Sequence, residues 1–230
     1  MVTVENLEAK QAKYQQVAPL LEARYGRKEM KRHDGMDELV SCILSQSTTD
    51  ANRDRAFDAL KRMYPRWEDV HHAPIEELIE TVKPAGLSNH KAPNIQNSLA
   101  LIFEQRGEYN IDFLETMPVP EAKAWLQTLP GVGPKTAAIV LCFGYNKAAF
   151  PVDTHVHRVG KRIGFLAQNV TANAAHEQME AIVPSTEYYA FHLQLIYHGR
   201  DLCDARKPAC DECPIKAFCD YYQTLARPQK

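Results

Sequence analysis

The stretch LPGVGPKTAAIVLCFGYNKAAFPVDTHVHRVGKRIGF, Leu129 to Phe165, decides how the chain is read. Glycine and proline crowd its start. Lys135 then opens an apolar run, and Asp153, eighteen residues on, opens a second. Gly131 and Gly133 permit positive φ and close backbone approach, and Pro134 suits the first turn of a helix. The spacing therefore predicts a tight hairpin between two helices, with free N–H groups at the second helix start that can hold a phosphate oxygen. Lys135 sits in that first turn, where the dipole disfavours a cation. A lysine there is poor helix design, but a neutral amine in such a place is a nucleophile. The bland alternative is a solvated surface lysine. Asp153 is placed to cap a helix from Thr154, and a cap alone is worth about 1 kcal/mol. The sharper reading is a carboxylate that acts together with Lys135.

Outward from this stretch nearly every segment reads as helix. Asp34 or Asp37 can cap ELVSCILSQS, and Thr49 or Asp50 can cap ANRDRAFDALKRMY, which Pro65 stops. Pro74 precedes IEELIETV, and APNIQNSLALIFEQRG ends at Gly107. PEAKAWLQTL, TANAAHEQMEAIV and TEYYAFHLQLIYHGR continue the series. No alternating segment stands between turn formers. The expectation is an all-α chain of about ten helices.

With 230 residues, 45% hydrophobic, the chain can bury one or two cores. It has no apolar run of membrane-spanning length, and its polar N-terminus lacks a signal-peptide core, so a soluble intracellular protein is expected. The net charge of −2 neither demands nor forbids a nucleic-acid partner, because the distribution of positive charge decides that.

Four of the six cysteines, Cys203, Cys210, Cys213 and Cys219, fall in CDARKPACDECPIKAFC, spaced C-x6-C-x2-C-x5-C. In a reducing compartment such a group points to metal rather than disulfides. Zinc ribbons use two separated C-x2-C knuckles and this segment has one closely spaced pair, so zinc remains an alternative. The uneven gaps favour a [4Fe–4S] cluster, whose four irons each take one thiolate. Such a cluster need not be redox-active; it can staple a loop that would not fold alone. Arg206, Lys207 and Lys216 lie in this loop and, with Lys135, Arg158 and Lys161, are expected to form a positive face for DNA. Cys42 and Cys142, inside apolar stretches, read as buried small hydrophobes.

LPGVGPKTA, VDTHVHRV, the separation of Lys135 from Asp153 and the cysteine tail together resemble the endonuclease III family, DNA glycosylase/AP lyases of the helix-hairpin-helix superfamily. LVSCILSQSTTD and GLSNHKA resemble its earlier segments, so the likeness covers nearly the whole chain. The resemblance implies two all-α domains, a six-helix domain at 28–147 and a cluster domain from 1–27 with 148–230, flanking a DNA-binding cleft. It implies double-stranded DNA with a damaged base or abasic site as partner, a monomer, a cytoplasmic, nucleoid-associated location, and oxidised pyrimidines as substrate. Lys135 and Asp153 would be catalytic. Gly131, Val132 and Gly133 of the hairpin, Gln46 and Ser47 as a polar plug, Leu87 as an apolar wedge, His155 and Lys207 would contact DNA. The chain departs from the family at two places: Ser47 stands where many relatives carry glutamine, and Pro134 where a basic residue is common. Two other readings compete. A mismatch or adenine glycosylase of the same superfamily usually lacks a lysine matching Lys135, and the adenine-specific members add a C-terminal domain absent here. A non-catalytic iron–sulfur DNA-binding or redox-sensing protein would not need Lys135 with Asp153.

Overall fold

The computed structural model describes residues 5–226, and among them every regular element is helical. Twelve α-helices follow one another: α1 Leu7–Tyr25, α2 Gly35–Leu44, α3 Asp50–Met63, α4 Trp67–His72, α5 Ile75–Thr81, α6 Ser88–Arg106, α7 Val119–Leu126, α8 Pro134–Ile139, α9 Thr154–Ile163, α10 Ala172–Ile182, α11 Tyr188–Asp201 and α12 Asp220–Ala226. None of the described helices is long and apolar enough to cross a membrane. The chain divides into two compact units, Arg32–Lys147 and a second made of the segment up to Lys31 with everything from Ala148.

Local chemistry sets the boundaries. Asp34, not Asp37, caps α2, its carboxylate accepting from the Asp37 amide at 2.9 Å. Thr49 caps α3 through the Asn52 amide, and Thr171 caps α10 through Ala174. Gly107 closes α6 in the left-handed conformation that glycine adopts without a Cβ penalty.

In the Arg32–Lys147 unit α6 is the central element. It buries Ala92, Ile95, Ser98, Leu99 and Ile102 along one face, at the recurring spacing that a core-facing helix needs. α2 supplies Leu39, Val40, Ile43 and Leu44, and α8 supplies Ala137, Ala138 and Ile139. A π-helical turn, Val140–Gly144, carries on from α8 and buries Cys142.

In the other unit α9 turns Val156, Val159, Gly160 and Ile163 inward. α1 joins α10 and α11 through a thin seam of Tyr14, Val17 and Leu21. The Tyr14 ring meets Phe191 edge-on at 4.9 Å, Gln11 donates to the Ala181 carbonyl, and Gln194 donates to the Gly26 carbonyl. α1, α4 and α12 carry no signal in the sequence reading, which accounts for its lower count of helices.

Candidate active site and cysteine loop

α7, the turn Gln127–Gly133 and α8 form the expected hairpin. Its two glycines do different work. Gly131 has φ +77°, and a Cβ there would come 2.8 Å from Nδ2 of Asn94, so both conformation and space require glycine. Gly133 has φ −98°, ordinary extended backbone, and a Cβ there would meet nothing within 4 Å. The expectation of positive φ therefore holds at Gly131 alone; at Gly133 the missing side chain leaves bare backbone beside open space. Val132 is buried, and its amide donates to the Leu129 carbonyl at 3.1 Å, so the turn uses that N–H itself. Gln46 donates to the Gly131 carbonyl at 2.7 Å and Ser98 to the Pro130 carbonyl at 3.1 Å. The Gln46 amide is thus engaged within the protein, while its neighbour Ser47 is exposed at φ +51°.

Lys135 is half-buried in the first turn of α8. Its charge reaches Cys42 on α2. Burial pushes the Cys42 thiol far above the ordinary range, Glu38 adds to the rise, and Lys135 opposes it. Glu38 is held by His33 at 2.6 Å and accepts from the Cys42 thiol at 3.5 Å. Burial likewise lifts Cys142, to about 12. Both isolated cysteines are the enclosed, inert thiols that their apolar surroundings suggested.

Leu87 precedes α6 in a left-handed conformation, φ +51°, with its side chain 57% exposed. An apolar side chain of this size is thus left open to solvent.

In the other unit Asp153 is the N-cap of α9, its Oδ1 accepting from the Val156 amide at 2.7 Å. A carboxylate has a second oxygen, so capping leaves it able to face a developing cation. His155 and Arg158 turn to neighbouring protein instead of standing free. Arg158 donates to the carbonyls of Cys203 and Gly199 and lies 3.1 Å from His155 Nδ1. Gly199 makes room for them, since a Cβ there would come 2.9 Å from His155 Nδ1. Arg158 therefore braces α9 against the loop after α11, which lessens its part in the expected positive face. Lys207 is exposed, in a turn whose amides bond to Asp204.

Cys203, Cys210, Cys213 and Cys219 line one cavity, walled by Ile163, Leu202 and Ile215. The Cys213 thiol is pushed up to about 11, mainly by burial, with the charges of Cys219, Cys203 and Cys210 contributing to the rise. Four thiolates that oppose one another's charge call for a cationic body between them. Four thiolates, one for each iron, are the ligand set that a [4Fe–4S] cluster takes. Arg162 shapes the site. It donates to the carbonyls of Cys203, Asp204 and Ala205 and to the Cys203 sulfur at 3.2 Å. His198 Nε2 lies 3.7 Å from the Cys213 sulfur, with its other nitrogen 3.1 Å from the Tyr25 hydroxyl.

An all-helical chain with a glycine hairpin in one unit and a four-cysteine loop in the other defines a class of helix-hairpin-helix iron–sulfur proteins. The family model described as HhH-GPD superfamily base excision DNA repair protein matches residues 40–185, and that of the iron–sulfur binding domain of endonuclease III matches 203–219. An endonuclease III of Bacillus subtilis is 35% identical over 191 residues, 83% of either chain. A trapped covalent intermediate of endonuclease III with DNA superposes with a TM-score of 0.79 at 28% identity, covering 99% of this chain and 100% of that one. A thermostable thymine-DNA glycosylase does so with a TM-score of 0.78 at 28% identity, covering 96% and 100%. The chain belongs to the HhH-GPD superfamily, in its endonuclease III family. The chain carries a [4Fe–4S] cluster, and Cys203, Cys210, Cys213 and Cys219 fit its loop between α11 and α12.

Proposed function

We propose that the chain removes oxidised pyrimidines from double-stranded DNA and then nicks the abasic strand, working as a monomer on the nucleoid in the cytoplasm. The observation that carries this reading is Lys135, half-buried in the first turn of α8 and two residues after the open backbone of Gly133. A damaged base is out of reach inside the stack, so the nucleotide must be flipped out. As its C1′–N bond breaks, the bonding electrons leave with the base and positive charge builds on the sugar. Asp153 stabilises that charge, as carboxylates do in glycoside hydrolysis. The Lys135 amine then bonds to C1′; as its nitrogen gives up its protons the ring C1′–O4′ bond breaks, O4′ takes up a proton, and an imine to the opened sugar is left. Loss of a C2′ proton expels the 3′ phosphate oxygen, and the strand is cut on the 3′ side of the lesion.

The covalent DNA intermediate trapped in an endonuclease III of the same fold supports a nucleophile in this chain too. Leu87, exposed and held left-handed, is suited to enter the gap left by the flipped base, with Ser47 in the place of the plug. Phosphate contacts fall to the hairpin backbone around Gly131 and Gly133 and to Lys207.

The likeness to a thymine-DNA glycosylase favours a second reading, a mismatch enzyme that releases bases without cutting. A panel of duplexes, each with one defined lesion or mismatch, separates the two when base release and strand nicking are scored separately. Release of oxidised pyrimidines with nicking and a borohydride-trapped adduct is the expected result. Release of thymine from mismatches without an adduct would overturn it.

A further inference from the structure

Among the described residues Lys91 is the one lysine, arginine, aspartate or glutamate that is buried, at 2% exposure. It lies in the first turn of α6, where the helix dipole opposes a cation. Its ammonium donates to two backbone carbonyls, Leu44 and Ala85, each at 2.8 Å. Burial draws its pKa below the ordinary lysine value. A buried charge without a carboxylate is an expensive way to satisfy two carbonyls, which a neutral donor could serve without the cost of burying an ammonium. Stability is therefore a poor reason for a lysine here, and its two acceptors suggest a better one.

Leu44 is the last residue of α2, from which the chain runs directly into Gln46 and Ser47. Ala85 ends the short 3-10 turn Lys83–Ala85, two residues before Leu87. One ammonium thus joins the roots of the two segments read as plug and wedge. Ser47 and Leu87 are both held at φ +51°, a conformation that non-glycine residues keep only where their surroundings impose it. The same face of α6 goes on to the hairpin. Leu87, Lys91, Asn94 and Ser98 recur at four, three and four residues. Asn94 lies under Gly131, Ser98 bonds Pro130, and Gln46 closes the ring on the Gly131 carbonyl.

We propose that Lys91 is a positioning residue for gap filling: it fixes the Leu87 segment and the Gln46–Ser47 segment in one register with each other and with the hairpin that carries Lys135. This rests on the reading of the chain as a base-flipping lyase in which Leu87 enters the vacated stack. A single strand has no stacked partner strand and so no gap to fill, which supplies the discriminating measurement.

Lys91→Met keeps the volume and removes the donors. Borohydride trapping is measured on one abasic oligonucleotide, as duplex and as single strand, with 2-aminopurine beside the site in the duplex as a reporter of unstacking. The expected result is a fall of about 10- to 100-fold in duplex trapping, the size that misplacement by about an ångström brings. Single-strand trapping stays and the 2-aminopurine signal shrinks; the melting temperature falls modestly, because two buried carbonyls lose their donor, so the duplex-to-single-strand ratio and not stability reads the proposal. Leu87→Ala should show the same duplex loss, and the double variant should lose no more than either alone. If Lys91→Met does not accumulate as folded protein, Lys91→Gln, which keeps a donor, is put through the same ratio. Equal losses on both substrates, or full duplex trapping in a folded variant, overturn the proposal. Absence of any adduct with the unaltered protein overturns the lyase reading instead.

Discussion

The hairpin at 129–135 and the cysteine loop at 203–219 both present backbone at the surface, and they are built in opposite ways. The hairpin rests on packed protein. Leu129 and Val132 are buried, and Gln46 and Ser98 take up the carbonyls of Gly131 and Pro130. The cysteine loop has little to rest on. Of its seventeen residues Ile215 and Cys219 are buried, its regular structure is two three-residue 3-10 turns, and Arg162 alone takes three carbonyls at its start. Apolar burial orders the first region and a ligand must order the second, since a loop of this length cannot bury enough surface to offset its ordering entropy. Substitutions in the first should therefore change chemistry without loss of fold. Substitutions in the second should change the fold first.

The largest effect is expected where the ligand is removed. Cys203→Ser deletes one of four thiolates and the sulfur that Arg162 meets. Metal ligation in small folded sites is worth about 10 kcal/mol or more, so losing it should unfold the loop. Protein prepared anaerobically should lose most of its iron and sulfide and its yellow-brown colour. Hydrogen exchange should then show loss of protection near 203–219 while the amides of Arg32–Lys147 stay protected. A folded, iron-loaded Cys203→Ser protein would break the comparison at its first term.

Lys135→Gln comes next, with loss of the borohydride adduct and of strand nicking. DNA binding should persist, because the hairpin backbone and not this side chain is assigned to the phosphate. Thermal stability should hold as well, since the side chain is only half-buried in a turn fixed by other groups. An adduct that survives in this variant would mean that another amine is the nucleophile.

Asp153→Asn is the intermediate case. The amide oxygen can still accept from the Val156 amide, so the cap is kept at little cost. The charge is gone, and a positioned charge facing a developing cation is worth about 3–4 kcal/mol, or about 10²- to 10³-fold in base release. Measured single-turnover release close to that of the unaltered protein would leave Asp153 as a cap and nothing more.

What the sequence made legible follows the same division. The cysteine loop announces itself, because ligand spacing is a one-dimensional property. Asp153 as a cap, Gly131 as a left-handed turn and Gly107 as a helix end are local too, and local chemistry decides them. Contacts made across the fold are not written in any short stretch. Lys91 in SNHKA resembles any surface lysine until α2 and the 83–85 turn bring two carbonyls to it. Gln46 reads as a free polar side chain until the hairpin turn brings the Gly131 carbonyl to it. Arg158 reads as a phosphate contact until α11 arrives with the carbonyl of Gly199. α1 was missed for a related reason: Tyr14, Val17 and Leu21 make a seam too thin to stand out, and Phe191, which gives it purpose, lies far along the chain.

The smallest expected effect sharpens the comparison most, since it concerns the same residue type in the other setting. Cys42 is 4% exposed and donates to Glu38 at 3.5 Å. Burial keeps its thiol protonated, the opposite of what a metal ligand needs. Cys42→Ser keeps a donor for Glu38 and exchanges a soft, bulky atom for a smaller polar one in a packed interior. The cost should be about 1 kcal/mol, the usual range for a modest change at a buried site. Iron content and colour should not change, because Cys42 belongs to the region that packing orders. Chemical unfolding followed by helical signal and by iron absorbance in parallel checks both halves. If Cys42→Ser lowers the iron content in step with stability, the packed unit and the cysteine loop fold as one, and apolar burial and ligand binding are not separate supports in this chain.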